Sequence, residues 1–175
     1  MNRDYGAFYK KIANPFRKSQ RRIQALKWIS RILTGLVYVS YGIILLWAFC
    51  QGYQTGGKTG AVEEVLPYIL VPGISFCLVS IVRDRINRKR PYEQWPIEPI
   101  IVKKTKGHSM PSRHVFSTAV IAMCALNLNV VFGILLLITA AAIAVIRVIG
   151  GIHYPEDVLA GYGIGVAAGS VLFFL

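Results

Sequence analysis

The sequence predicts an all-α protein, a polytopic bundle of about five transmembrane helices behind a basic, interfacial N-terminal segment. Three observations predict it. Of the 175 residues, 54% are hydrophobic and 16% charged, against roughly 25% charged in a soluble domain. Apolar runs fill most of the chain after Lys27, and a helix that crosses a bilayer core needs about 20 apolar residues. Polar, proline- or glycine-bearing breaks separate these runs, so the length holds one membrane domain and leaves no separate soluble domain or long linker.

Residues 1–27 are basic, with Tyr5, Phe8, Tyr9, Ile12, Phe16 and Ile23 interspersed. Such a segment lies in the headgroup region with a break near Pro15, or forms a disordered basic tail; the interfacial reading is preferred. It is too polar and too long before its first apolar run for a cleaved signal peptide. The first span is expected over Trp28–Cys50, with Trp28 and Trp47 as interfacial anchors and Arg31 within snorkelling distance of its end. Gln51–Gly60 reads as a short polar loop. The second span is expected from about Val62 to Val82, bent by Pro67 and Pro72. A polar stretch of 28 residues follows, Arg83–Met110, in which Pro91, Pro96 and Pro99 oppose a continuous helix. The third span is expected from Pro111 to Leu126. A turn at Asn127-Leu128-Asn129 leads to the fourth, Val130–Ile149, and the fifth runs from Pro155 to Leu175. Gly161, Gly165 and Gly169 put bare backbone on one face of that last helix, suited to close packing. Cys50, Cys77 and Cys124 lack metal-like spacing and read as small core residues.

The net charge is +12, with nine of the 20 basic residues between Arg3 and Arg31 and nine between Arg83 and Arg113. Basic clusters beside spans meet anionic headgroups, so the bilayer is the expected partner and nucleic acid is not; the sequence does not define an oligomeric state. Counting spans places the N-terminal segment, the 83–110 stretch and the 150–154 turn on one membrane face. Three polar clusters therefore converge. In the first, Arg83 and Arg90 share a helix face if the helix reaches Arg90, although a flank of the positive-inside kind would also carry arginines. The second is Ser109-Met110-Pro111-Ser112-Arg113-His114. Proline suits the first helical position, the free amides of a helix N-terminus suit an anion, and His114 is able to exchange a proton near neutral pH. In the third, Arg147 closes an apolar run. An arginine at depth costs roughly 2.5–3.5 kcal/mol, so it calls for a partner: a phosphate, Asp157 or Glu156. His153 precedes a helix start at Pro155, and Asp157 within reach of one imidazole nitrogen would fix the tautomer and free the other to attack. Gly150-Gly151 would permit the sharp turn.

Phosphoryl transfer needs positive charge around the phosphate oxygens, an in-line nucleophile and an acid for the leaving oxygen, and the three clusters supply each. No HExxH or paired aspartate motif suggests a metal site. A zinc site from His108, His114 and His153 is disfavoured by the arginines around it, so no metal or other cofactor is expected.

These clusters resemble the motifs of the type 2 phosphatidic acid phosphatase (PAP2) superfamily of membrane lipid phosphatases, written KxxxxxxRP, PSGH and SRxxxxxHxxxD. The chain has RDRINRKRP at Arg83–Pro91, PSRH at Pro111–His114 and IRVIGGIHYPED at Ile146–Asp157. The resemblance makes residues 28–175 a PAP2-like phosphatase domain. It implies His153 as the nucleophile of a phosphohistidine intermediate, Asp157 as its orienting residue and His114 as the general acid. Arg83, Arg90, Ser112 and Arg147 would bind phosphate, without a metal. Three residues depart from the pattern. Arg83 replaces lysine, keeping charge but presenting a planar fork; Arg113 replaces glycine and adds charge or narrows the mouth; Ile146 replaces serine and removes a hydroxyl.

The implied substrate is a lipid phosphate monoester or diphosphate, with phosphatidylglycerophosphate, phosphatidate and a polyprenyl diphosphate as candidates. Two alternatives stand beside hydrolysis: a lipid phosphotransferase using the same phosphohistidine, and a non-enzymatic binder of anionic lipid. An integral protein of the cell (plasma) membrane is expected. The charge rule faces the site towards the cytoplasm, whereas many bacterial relatives act on the outer face.

Overall fold

The computed structural model describes residues 5–175; Arg3 and the other residues of 1–4 in the basic N-terminal segment lie outside the described residues. Helix α1 (Tyr5–Arg17) is amphipathic, with Gly6, Tyr9 and Ala13 buried and Lys10, Lys11 and Arg17 exposed. It continues past Pro15 for two residues, and the break expected near Pro15 falls at Lys18-Ser19, before the next helix.

Helix α2 (Gln20–Ile86) is two antiparallel arms. Only Gly56 (φ −139°, ψ 19°) and Gly57 (φ 61°, ψ −143°) leave helical geometry. The expected loop over Gln51–Gly60 thus shrinks to a glycine pair. The reason lies in its flanks: a Cβ on Gly52 would stand 2.2 Å from the Gly60 carbonyl oxygen, and one on Gly60 would stand 2.5 Å from that of Gly52. Bare backbone lets the arms close at once. The first arm also begins at Gln20, ahead of the expected Trp28.

Pro67 and Pro72 do not break the second arm, whose backbone stays helical through both. Pro72 has no N–H for the carbonyl of Tyr68. The Tyr41 hydroxyl of the first arm donates to that carbonyl at 2.8 Å, and the Tyr68 hydroxyl donates to Asn127 Oδ1 at 2.6 Å. The proline's missing bond thereby becomes a tie between the arms.

The second arm ends at Ile86, where Asn87 is left-handed (φ 39°, ψ 43°). It does not reach Arg90, so Arg83 and Arg90 do not share a helix face. Pro91 opens a short helix, α3 (Pro91–Gln94), and irregular chain follows to Ser112. Helix α4 (Arg113–Leu128) starts after an N-cap at Ser112, so Pro111 precedes the helix and is not its first residue. Asn129 ends α4 and caps α5 (Val130–Ile149), its side chain accepting from the Phe132 amide at 2.9 Å. Helix α6 (Pro155–Gly169) starts at the expected proline and passes into a 3₁₀ turn, Ser170–Phe174.

Helix α4 forms the centre, packed by α2, α5 and α6, with every residue from Val115 to Ala125 buried except Ser117. The α6 glycines face it: a Cβ on Gly161, Gly165 or Gly169 would approach Ser112 O at 2.6 Å, Phe116 O at 2.7 Å or Met123 Cβ at 2.3 Å. The outer faces are apolar and open, as at Ile32, Val39 and Leu46, each more than 60% exposed. Of the cysteines only Cys124 is a core residue; Cys50 and Cys77 point outward. Among the described residues, Gln20–Gln94, Val130–Ile149 and Pro155–Phe174 are long and apolar enough to cross a membrane. With the first of these folded in two and α4 at the centre, the chain is an integral membrane bundle of five passes.

The tie at Pro72 generates a double-mutant test. Tyr41→Phe strands the Tyr68 carbonyl and should cost about 1–3 kcal/mol. In a Pro72→Ala background, where the substituted residue supplies the helical N–H, the same change should cost less than half as much, read by thermal unfolding in detergent. Equal costs in both backgrounds would refute the tie.

Candidate active site

The α5–α6 turn carries His153. Gly151 sits at φ +75°, and a Cβ there would stand 2.7 Å from the Tyr9 hydroxyl; a glycine is required on both counts. Helix α1 packs outside this turn. The Tyr9 hydroxyl accepts from the Ile100 amide at 3.2 Å, and the Tyr5 ring meets that of Tyr154 edge-on at 4.7 Å.

Asp157 is fully buried in the first turn of α6. Its Oδ2 accepts from the Tyr154 amide at 2.9 Å and from the Ser109 hydroxyl at 2.5 Å. Its Oδ1 accepts from Arg88 Nη1 at 3.0 Å. His153 Nδ1 lies 3.6 Å from Asp157 Oδ2 and 3.4 Å from Ser109 Oγ. The Ser109 proton is committed to the carboxylate, so its oxygen is an acceptor towards Nδ1. That geometry favours the proton on Nδ1 and leaves Nε2 with its lone pair. Burial is the largest influence on the His153 imidazole and lowers its pKa to about 4, with the bond to Asp157 acting in the opposite direction and Arg90 in the same one.

A cavity of 350 Å³ opens beside His153, bounded also by Arg83, Arg90, Lys103, Arg113 and His114. Arg90 is 3% exposed and is held by two neutral acceptors, the carbonyls of Gly107 and Ile152, each at 3.1 Å. Its charge therefore stays available. The Arg113 guanidinium stacks on Phe76 at 5.6 Å, leaving it at the mouth. His114 lies in the first turn of α4.

Besides Asp157, two expected residues sit apart from this cavity's lining. Arg147 lines the adjoining cavity, which also reaches His114. Its Nε is buried without a hydrogen-bond partner. Asp157 and Glu156, its expected partners, instead bind Arg88, at 3.0 and 2.9 Å. Ser112 is fully buried beneath the site, its hydroxyl unpartnered and its amide donating to the Asp157 carbonyl at 2.9 Å. Glu156 remains largely exposed, with its Arg88 partner stacked on Tyr154 at 4.4 Å. His108, left-handed at φ 50°, places Nδ1 3.1 Å from Asp84 Oδ1.

Sequence reasoning gave no role in the site to three of its residues, although Ser109 opens the second cluster. Arg88 occupies a variable position of the first motif, Ser109 stands two residues before Pro111, and Lys103 is one of a run of lysines. Lys103 is an exposed residue whose ammonium nonetheless sits among guanidinium groups. Partial burial, then Arg147, Arg90, Arg83 and Arg113, lower its pKa to about 8. Among the described residues no group of three or more His, Cys, Asp or Glu side chains is placed to hold a metal ion.

The sequence pattern of the PAP2 superfamily matches residues 64–174. The chain belongs to the PAP2 superfamily and is a membrane phosphatase. The crystal structure of LpxE from Aquifex aeolicus superposes with a TM-score of 0.71 at 20% identity, covering 97% of this chain and 94% of that one. A PAP2-type phosphatidylglycerolphosphate phosphatase from Bacillus subtilis superposes with a TM-score of 0.54 at 19% identity, covering 96% and 92%. At these identities the likeness is one of fold. A search of curated proteins gives no significant sequence match.

Removing Arg88 should unseat the acid of the site. Arg88→Ala takes a charged donor from buried Asp157 and should cost about 1.5–3 kcal/mol in thermal unfolding. Arg88→Lys should restore less than half of it, because a single ammonium does not reproduce the fork that serves Asp157 and Glu156 together. Full restoration by lysine would show that only charge matters.

Proposed function

We propose that the protein hydrolyses a lipid phosphate monoester or diphosphate through a phosphohistidine on His153, with no metal in the reaction. The arrangement of His153 carries this reading: Nδ1 is engaged by Ser109 and Asp157, and the ring borders a cavity of cations. The Nε2 lone pair attacks phosphorus, the P–O bond to the leaving group breaks, and its electron pair passes to the leaving oxygen. His114, on the same cavity, gives that oxygen a proton. Water then attacks the phosphohistidine as His114 takes the proton back, the P–N bond breaks, and inorganic phosphate leaves with the imidazole restored. Arg83, Arg90, Lys103 and Arg113 hold the equatorial oxygens, where charge stabilisation contributes most to such transfers. Arg147 and Ser112 support the same phosphate from the adjoining cavity and from below.

The 28–175 portion is the phosphatase domain in this reading, and helix α1 of the N-terminal segment lies along the headgroups of the cell membrane. Its exposed lysines and arginines face anionic lipid, and its buried face meets the loop beside the site. The basic N-terminal side favours a cytoplasmic site. A reporter-fusion map that put the C-terminus in the cytoplasm would reverse that orientation.

The mechanism has two direct tests. His153→Ala should abolish phosphate release and the acid-labile label trapped from a radiolabelled lipid phosphate, while His114→Ala should still form the label from a substrate with a good leaving group. Full activity in His153→Ala would refute the nucleophile. The pH profile gives the second test. A lowered imidazole pKa keeps Nε2 free above about pH 4, so nucleophilic competence is lost only as pH falls through that value. Lys103 carries its charge below about pH 8 and loses it above, so kcat/KM should decline on that alkaline flank. Lys103→Arg should remove the alkaline decline. An acid limb at the ordinary imidazole value, once the substrate's own ionisation is located by titration, would contradict the site geometry.

A further inference from the structure

A second cavity, of 510 Å³, adjoins the first and shares His114 with it, but His153 does not line it. Lys27, Arg31, Thr34 and Tyr38 of the first arm of α2 line it, with His114 and Arg147 on the side of the site. His114 borders both cavities, whereas His153 borders only the first. In-line displacement puts the leaving oxygen opposite the nucleophile, so the group that departs past His114 enters this second space.

The lining is chemically specific. It contains two cations of the first arm and no carboxylate. Among the described residues neither Lys27 nor Arg31 has an acid within ion-pair distance. Two polar atoms that border it, Thr34 Oγ1 and Arg147 Nε, are buried without a hydrogen-bond partner. Tyr38 also borders a third cavity, of 420 Å³, formed by Tyr41, Ile69, Phe76, Phe116 and Ile121 between the two arms and α4. The sequence of environments is therefore a phosphate site, a proton donor, a cationic polar chamber and an apolar groove.

We propose that the second cavity receives the leaving half of the substrate, and that Lys27 and Arg31 bind a second phosphate carried on it ahead of the hydrocarbon. This rests on the phosphatase reading and narrows its substrate class to lipids with two phosphates. The second phosphate is a phosphodiester one glycerol away, as in phosphatidylglycerophosphate, or the inner phosphate of a polyprenyl diphosphate. The leaving group of phosphatidate is a neutral diacylglycerol, which offers these cations nothing to bind.

The test measures inorganic phosphate released from phosphatidylglycerophosphate, a polyprenyl diphosphate and phosphatidate, by the full chain in detergent micelles. The wild type should favour at least one two-phosphate lipid over phosphatidate. Lys27→Ala/Arg31→Ala should lower kcat/KM for that lipid by about tenfold or more, the loss of a charge-assisted contact, and for phosphatidate by under about threefold. Arg31→Glu should act in the same direction and more strongly. Phosphatidate turnover in the same preparation reports that each variant is folded. Which two-phosphate lipid responds identifies the source of the second phosphate. An equal loss on all three lipids, no loss on any, or a wild-type preference for phosphatidate would overturn the inference and leave the phosphatase reading intact. No release from any lipid by the wild type would overturn that reading, and this inference with it.

Discussion

The buried carboxylate of Asp157 is the contact on which the rest of the site depends. An ion of this kind costs several kcal/mol to bury unless its lone pairs are engaged. Here the engagement comes from separate parts of the chain: Arg88 after α2, Ser109 from the irregular stretch, and the Tyr154 amide at the start of α6. The carbonyl of the same residue takes the amide of Ser112, the cap of α4. The turn after α2 and the 109–112 segment, both far away in sequence, are thus referred to the start of α6 at one residue. His153, one helical turn before it, inherits a fixed position and tautomer.

Around this anchor the balance of charge is one-sided by construction. Most acids near the site are committed elsewhere, Glu156 and Asp157 to Arg88 and Glu93 to the amides of Arg90 and Gly107, so that Asp84, beside His108, is the one carboxylate in the cavity's lining among the described residues. Arg90 is fixed by carbonyl dipoles, which orient a guanidinium without neutralising it. Arg83, Arg113, Lys103 and Arg147 add to the same field. Like charges held together in a partly desolvated space oppose folding, and an arriving phosphate relieves that opposition. The lowered amine of Lys103 is the local expression of this strain.

Much of this was legible in the sequence, and what escaped did so for physical reasons. Hydropathy and capping placed α5 at its observed bounds and started α6 at Pro155, because long apolar runs and an N-terminal proline act locally. Motif spacing gathered Arg83, Arg90, His114, His153 and Asp157 before any fold was known. Helix continuity to Arg90 failed because Asn87 takes a left-handed cap, which a polar stretch does not announce. What the sequence did not announce at Pro72 is that a tyrosine 31 residues earlier answers the orphan carbonyl four residues before it. Lys103 and the role of Ser109 escaped because the irregular 95–112 segment has no periodicity, so only the tertiary path decides which of its side chains turn inward; Arg88 escaped because it lies beyond the left-handed cap that ends α2, where no helix face assigns its direction. Lys27 and Arg31 read as a membrane flank, the role such residues fill on most helices.

The short central helix has a consequence for how the enzyme sits in different bilayers. With sixteen residues, α4 is about 24 Å long, less than the roughly 30 Å of a hydrocarbon core. It is walled by α2, α5 and α6, and the bare glycine face of α6 leaves no side-chain cushion between them. Thickness mismatch is therefore borne by the outer helices, which are free to tilt or dimple the lipid at a modest cost per ångström. The helix that carries His114, and the backbone that fixes it to Asp157, are surrounded by protein. The register between His114 and Asp157 is thereby insulated from membrane thickness, while the lipid-facing shell adapts to it.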